Sequence, residues 1–257
     1  MDNQWIEDKV IIVTGGGSGI GQGIAIEAAA KGAKVVIADI NEKGANETCS
    51  IVEENGSKAS FIETDVTKPA EIKKLLEEVE QIGTFKYLVN SAGLQTYGIA
   101  ETTPEETWDV TMDVNLKSMY LMASQAIPVI RENGGGGIVN ISSVQGFTCQ
   151  KNVLAYATSK GAVIAMTRSM GLDHAKEGIF VNCICPGSID TPMLRYGAAK
   201  HGKLEDVLEE WGNHHPIGRI GTPEEIAKTA MFLLSPDSNF IVGQAIVADG
   251  GLGSIIL

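Results

Sequence analysis

Residues 9–39 constrain the chain more than any other stretch. Lys9-Val-Ile-Ile-Val13 is a short apolar run that reads as a buried strand. It ends in Thr14-Gly15. Gly15-Gly-Gly-Ser18-Gly19-Ile20-Gly21 then opens an Ala- and Ile-rich helix to about Lys31, with Gly32 as its C-terminal cap. Lys34-Val-Val-Ile-Ala38 is a second strand, and Asp39 stands at its end. A strand, a glycine turn, a helix and a strand in this order suit an anion. Glycine lets the backbone approach it closely, and the helix start supplies N–H groups and the positive end of a dipole. With an acid at the second strand end, the expected anion is the diphosphate of a dinucleotide.

Asp39 can accept from both hydroxyls of an adenine ribose. A 2′-phosphate ~4 Å away would be repelled by about 4 kcal/mol at an effective dielectric near 20. The glycine turn and the residues after Asp39 (Ile40, Asn41, Glu42) hold no Arg or Lys to offset that. NAD is therefore expected over NADP. The competing reading makes Asp39 a cap for the helix starting near Glu42.

The alternation continues through strands at 60–63, 86–89, 138–141, 179–185 and 244–247. Helices are expected at 42–54, 69–81, 154–176 and 223–234. Another starts at the capping box Thr103-Pro-Glu-Glu106, carries Asn115 and runs to about Asn133, with a kink at Pro128. The pattern predicts an α/β chain, a Rossmann-type doubly wound sheet of seven parallel strands with helices on both faces. No internal linker appears, so residues 1–257 read as one domain. Ligands of such sheets sit at the carboxyl ends of the strands. Asp39, Asp65-Val66, Asn90-Ser-Ala92-Gly93, Ser143 and Pro186-Gly187 all follow strand ends and should gather on one edge. Asp65 can accept from an adenine amino group or be only a turn residue.

Of 257 residues, 44% are hydrophobic and 20% charged, an ordinary globular mix. The net charge of −12 argues against a nucleic-acid or anionic-membrane surface. No apolar run is long enough to span a membrane, and the N-terminus has no signal-peptide features, so a cytoplasmic location is expected. The cysteines Cys49, Cys149, Cys183 and Cys185 show no zinc spacing and read as buried free thiols. On an apparent strand, Cys183 and Cys185 are expected to face opposite ways.

Tyr156-Ala-Thr-Ser-Lys160 lies in the 154–176 helix, where positions four apart share a face. A free phenol has a pKa near ~10, and a nearby cation can lower it by roughly 1–3 units. The pair can then serve as acid and base for an alcohol or carbonyl. The same spacing also occurs in ordinary amphipathic surface pairs.

Taken together, the blocks Thr14-Gly15-x-x-x-Gly19-Ile20-Gly21, Asp65, Asn90-Ser-Ala-Gly93, Asn115, Ser143, Tyr156-x-x-x-Lys160 and Pro186-Gly-x-x-x-Thr191-Pro192 cover nearly the whole chain. In content and separation they resemble the short-chain dehydrogenase/reductase family, in its shorter single-domain subgroup. One departure is Ser91, where the family usually has a second Asn. The resemblance implies that Tyr156 transfers the proton, that Lys160 lowers its pKa and holds the nicotinamide ribose, and that Ser143 hydrogen-bonds the reacting oxygen. It implies that Asn115 supports Lys160 through a water. Ser143 is chosen over Ser142 because it stands thirteen residues before Tyr156, the family's usual spacing. Gly15, Ser18, Gly19, Ile20, Gly21, Asp39, Ile40, Asp65, Val66, Asn90, Ala92, Gly93, Tyr156, Lys160, Pro186, Gly187, Ile189 and Thr191 would hold the NAD. Residues 193–215 resemble the family's mobile lid. His214-His215 reads as a loop or interface pair, and no metal is expected.

Substrate candidates are Leu94, Gln95, Thr96, Gln145, Cys149, Asn152, Ser188 and Met193, beside Ser143 and Tyr156. Their polar members favour a sugar, polyol or other small hydroxylated molecule. A 3-oxoacyl thioester reductase and a non-enzymatic nucleotide sensor are the alternatives. The first would want a basic residue near the glycine turn; the second would be signalled by a lost Ser, Tyr or Lys. The resemblance also implies a homo-oligomer, a tetramer or dimer paired through the Asn115 and Tyr156 helices. The apolar tail at 253–257 is a candidate part of that interface.

Overall fold

A computed structural model describes residues 4–254. Seven strands form one parallel sheet: β1 (Val10–Thr14), β2 (Lys34–Asp39), β3 (Ala59–Glu63), β4 (Phe85–Asn90), β5 (Gly136–Ile141), β6 (Ile179–Pro186) and β7 (Ala245–Ala248). Their order is β3-β2-β1-β4-β5-β6-β7. The chain leaves β3 at one edge and returns to the centre as β4. β1 therefore pairs with both β2 and β4, and a crevice opens at its carboxyl end.

Side chains alternate along a strand, so both faces of the sheet are apolar. Ile11, Val13, Val35, Ile37 and Val89 meet α1 (Gly19–Ala30), α2 (Glu42–Glu54) and α9 (Pro223–Leu234) on one face. Val10, Ile12, Val36, Ala38 and Leu88 meet α3 (Pro69–Ile82) and α5 (Ser118–Glu132) on the other. α1 and α9 approach closely because Gly23 has no side chain; a Cβ there would stand 2.8 Å from Pro223 Cβ. Ile24, Ala25 and Ala28 of α1 share one core with Ile226, Ala227 and Ala230 of α9.

The strands and most helices fall within a few residues of the expected bounds, and the departures have physical causes. The capping box at Thr103 does not form. The Thr103 hydroxyl donates back to Ile99 O at 2.8 Å, Pro104 becomes the N-cap, and α4 is Glu105–Met112. A full capping box forms instead at Thr222, whose hydroxyl accepts from Glu225 N while Glu225 accepts from Thr222 N. The Asn115 helix runs without a gap from Glu105 to Glu132 but is not α-helical throughout. Between α4 and α5 the segment Asp113–Lys117 is a π-helical turn, with Ser118 N–H donating to Asp113 O. Pro128 lies inside α5, which runs through it to Glu132.

Cys183 and Cys185 do not face opposite ways. Two residues apart on β6, they share a face and pack with Ile164 and Ala245. Both are buried, but Cys49 is only partly so and Cys149 is exposed. The presumed lid is two helices, α7 (Pro192–Ala198) and α8 (Leu204–Asn213). No helix among the described residues is long and apolar enough to cross a membrane. Most of the apolar tail, 255–257, lies outside the described residues.

Candidate active site

A cleft of about 1200 Å³ runs along the carboxyl ends of the strands, and the glycine turn, the α6 helix (Leu154–His174) and helices α7 and α8 line it. Single drug-sized ligands occupy roughly 300–1,000 Å³, so the cleft has room for a cofactor and a substrate together.

At one end is the start of α1. Gly15 and Gly19 have φ of +66° and +55°, which favours glycine. A Cβ at Gly15 would stand 2.8 Å from the Ala92 backbone, and one at Gly21 would collide with Gly15 O. Ser18, the N-cap, makes no capping bond, and the first turn of α1 holds no acid. Its N–H groups are therefore free for an external anion, unlike those of α9. These residues fit a diphosphate.

Asp39 braces this turn. Its carboxylate accepts from Gly17 N–H at 2.9 Å and Asn41 N–H at 2.8 Å. An ionised carboxylate has about four acceptor positions, so two remain. Asp39 does not cap α2; Asn41 does, accepting from Gly44 N–H. Asp65 is a turn residue that also lines the cleft. Burial, the largest single effect, acts to raise its carboxyl, but the bonds it accepts from the hydroxyl and N–H of Thr67, with the charge of Lys68, together hold it below the usual range. Ile40 and Val66 line the same end.

In the middle of the cleft stand Ser143, Tyr156 and Lys160, all nearly buried. Ser143 sits just past β5, and its hydroxyl accepts from Gln145 N–H at 3.1 Å. Tyr156 and Lys160 are one turn apart on α6. The Lys160 ammonium donates to Ile141 O at 2.9 Å and stands 5.6 Å from the Tyr156 ring centroid. The lowering of the tyrosine pKa expected from the spacing is not what this cleft gives. Burial pushes the Tyr156 phenol up and outweighs its hydrogen bond with Ser143. Burial also pulls Lys160 down to about 8. Ser142 is turned away, donating to Lys160 O at 2.7 Å.

Asn115 is held by the π-helical turn. Its side chain accepts from Leu94 N–H at 2.8 Å and donates to Leu94 O at 2.9 Å and Ser159 Oγ at 3.1 Å. It does not bond Lys160, but both flank Gly93: a Cβ there would be 3.3 Å from Asn115 Oδ1 and 3.6 Å from Lys160 Nζ. Gly93, with Ala92, lines the cleft. Asn90 does not. Its amide donates to Asn140 Oδ1 at 2.8 Å, and Asn140 in turn donates to Thr167 Oγ1 at 2.9 Å, a buried chain beneath the cleft floor.

Pro186, Gly187, Ile189 and Thr191 line the far wall. Thr191 also caps α7, accepting from Leu194 N–H at 3.2 Å. Of the substrate candidates, Leu94, Gln95, Gln145, Cys149, Ser188 and Met193 line the cleft. Two candidates do not. Thr96 is bonded to Thr111 at 2.8 Å, and Asn152 is an exposed residue at φ +67°. Tyr97 is among the lining residues missed by sequence reasoning, and His201, Trp211 and His214, expected only as residues of the lid or of a loop or interface pair, reach the cleft as well. Gly197 is the signal that could have found Tyr97. It lets α7 settle on that ring, where a Cβ would lie 2.7 Å from the Tyr97 hydroxyl. Among the described residues lining the cleft, Lys160 is the one Lys or Arg.

A family model described as enoyl-(acyl carrier protein) reductase matches residues 15–253. A curated relative, 2-(S)-hydroxypropyl-CoM dehydrogenase 3 of Xanthobacter autotrophicus, is 35% identical over 99% of this chain and 100% of its own. The 3-oxoacyl-[acyl-carrier-protein] reductase FabG of Chlamydia muridarum is 38% identical over 97% and 99%. Among solved structures, ligand-free aldohexose dehydrogenase of Thermoplasma acidophilum superposes with a TM-score of 0.91 at 37% identity, covering 100% of this chain and 98% of that one. Likeness of this extent places the chain in the short-chain dehydrogenase/reductase family, as an oxidoreductase of that type acting on an alcohol or ketone.

Proposed function

We propose that the chain is an NAD(H)-dependent dehydrogenase of a small, neutral, hydroxylated secondary alcohol such as a sugar or polyol, and of the matching ketone. The observation that carries this reading is one cleft holding the open N-terminus of α1 at one end and the nearly buried Ser143, Tyr156 and Lys160 further along it. A nicotinamide dinucleotide held there supplies or takes the hydride. The rest falls to the chain's own residues. The Ser143 hydroxyl orients the reacting oxygen. The Tyr156 hydroxyl gives that oxygen a proton in reduction and takes one in oxidation. With the phenol raised by burial, Tyr156 is in the acid form needed for reduction; oxidation needs positive charge near it, which Lys160 supplies. Asn115 holds the Leu94 peptide at the cleft wall.

Asp39 supports NAD over NADP, since the described lining around it carries no cation to receive a 2′-phosphate. The same neutrality at the substrate end supports an uncharged substrate over an acyl carrier, the reading suggested by the Chlamydia relative's name. The similar Thermoplasma protein is an aldohexose dehydrogenase, which agrees with Gln95 and Gln145 as hydroxyl partners beside the Tyr97 and Trp211 rings. Retention of Ser143, Tyr156 and Lys160 weighs against a nucleotide sensor. A cytoplasmic homo-oligomer completes the proposal, supported by exposed Val110, Tyr120 and Leu172 on α4, α5 and α6.

The test is a spectrophotometric screen of NAD and NADP against sugars, polyols, hydroxy acids and simple secondary alcohols. Reduction of NAD with a neutral polyhydroxylated donor is expected. Clear preference for NADP would overturn the reading of Asp39, and activity confined to acyl thioesters would overturn that of the substrate.

A further inference from the structure

We propose that His215 is a positioning residue that ties the lid to the loop following β6, and that it does so only as a neutral ring. His215 follows α8 and is 3% exposed. Its Nδ1 stands 2.8 Å from Trp211 O. A carbonyl oxygen only accepts, so Nδ1 carries the ring proton. Nε2 is then the acceptor, and it takes the Ser188 N–H at 3.2 Å. One ring thus joins a carbonyl of the lid helix to an N–H of the loop between Gly187 and Ile189, both on the cleft wall. The fit is close: a Cβ at Gly187 would lie 3.0 Å from Nε2 and 2.9 Å from Asp249 Cα.

Protonation at Nε2 sets a donor against the Ser188 N–H and ends that bond. The charged groups on the packed elements are already engaged. Asp249 accepts from Gly251 N–H at 2.9 Å and Gly253 N–H at 2.6 Å. Arg219 and Glu225, across a small cavity, are paired at 2.7 and 2.9 Å. Asp190, in the same loop, is paired with Arg195 at 2.6 and 2.8 Å. His214 faces the main cleft. The loop keeps its backbone bonds from Gly187 N–H to Ala248 O, Gly221 N–H to Ser188 O and Asp190 N–H to Gly221 O, so acid loosens this wall of the dinucleotide site at Ser188 alone, and affinity for the dinucleotide falls.

The inference rests on the proposed dinucleotide reading, and the experiment separates the two. NADH and NADPH binding would be titrated by fluorescence at about pH 8 and about pH 5, with thermal melting to verify folding. Wild type should bind NADH about five- to tenfold more weakly at the lower pH, the size of one lost hydrogen bond. His215→Gln keeps an acceptor near the Nε2 position that does not titrate, so its affinity should be nearly the same at both pH values. His215→Asn reaches Trp211 but not Ser188, and should bind weakly at both. If the Gln variant loses affinity in acid as wild type does, the effect belongs to another group and the inference fails. Wild-type affinity in the Asn variant at the higher pH also overturns it. If neither dinucleotide binds at either pH, the cofactor reading fails and takes the inference with it. Binding without pH dependence leaves the cofactor reading intact and removes the role of His215 alone.

Discussion

At the scale of single residues, the chemistry turns on two buried groups whose pKa values move in opposite directions. Tyr156→Phe removes the proton donor and leaves the ring that packs with Val153 and Ala157. Turnover should fall by at least roughly 10²–10⁴-fold, the usual worth of general acid–base catalysis, with NADH affinity nearly unchanged. Steady-state rates and a fluorescence titration check both halves. Lys160 carries a stability prediction. Folding lowers its pKa from 10.5 to about 8, so between these values the unfolded chain holds a proton that the folded chain has released. Stability from this group therefore rises with pH through that window and is lost as pH falls to about 8 and below. Denaturant unfolding of wild type and Lys160→Met across the window should show that slope in wild type and not in the variant. Asp39→Ser removes the negative charge at the second strand end. It should weaken NAD binding and narrow the gap to NADP, measured as a ratio of kcat/KM values.

At the scale of elements, Thr222 starts α9 through a reciprocal pair of bonds with Glu225. Thr222→Ala should cost about 1 kcal/mol and lower Tm by about 2–4 °C, read by thermal melting. The elements were also where the sequence was most and least legible. Strand β1, the glycine turn and α1 were readable because sterics leave few residue types able to make that turn. Tyr156 and Lys160 were readable as a pair because one helical turn fixes their separation. The π-helical turn at Asn115 was not, since an added residue in a helix changes no local pattern that a residue type announces. Thr103 carried a valid capping signature, but Ile99 O competed for its hydroxyl and won. The fall in the Tyr156 pKa was misjudged because spacing reports the ammonium and not the depth of burial. Tyr97 and Trp211 come to the cleft from separate loops and helices, and only the packing of α7 brings them together.

At the scale of the whole molecule, the buried amides Asn90 and Asn140 with Thr167 link β4, β5 and α6 under the cleft. Asn140→Ala would leave the Asn90 amide and the Thr167 hydroxyl without that partner. The expected cost is on the order of 1–3 kcal/mol for each orphaned group, checked by denaturant unfolding. The edge order of the sheet, with β1 in the centre, gathers Gly15, Asp39, Ala92, Ser143 and Gly187 although they are spread along much of the chain.

The approach of Gly23 to Pro223 brings together two helices whose contact points are 200 residues apart in sequence. During synthesis, Ile24, Ala25 and Ala28 can pack on β1 and β2 early, but the side they share with Ile226, Ala227 and Ala230 has no cover until α9 leaves the ribosome. A fragment ending before Pro223 would therefore carry the complete glycine turn yet present a sticky, chaperone-seeking surface. Helix α1 has to wait for a segment made 200 residues later before its packing is complete.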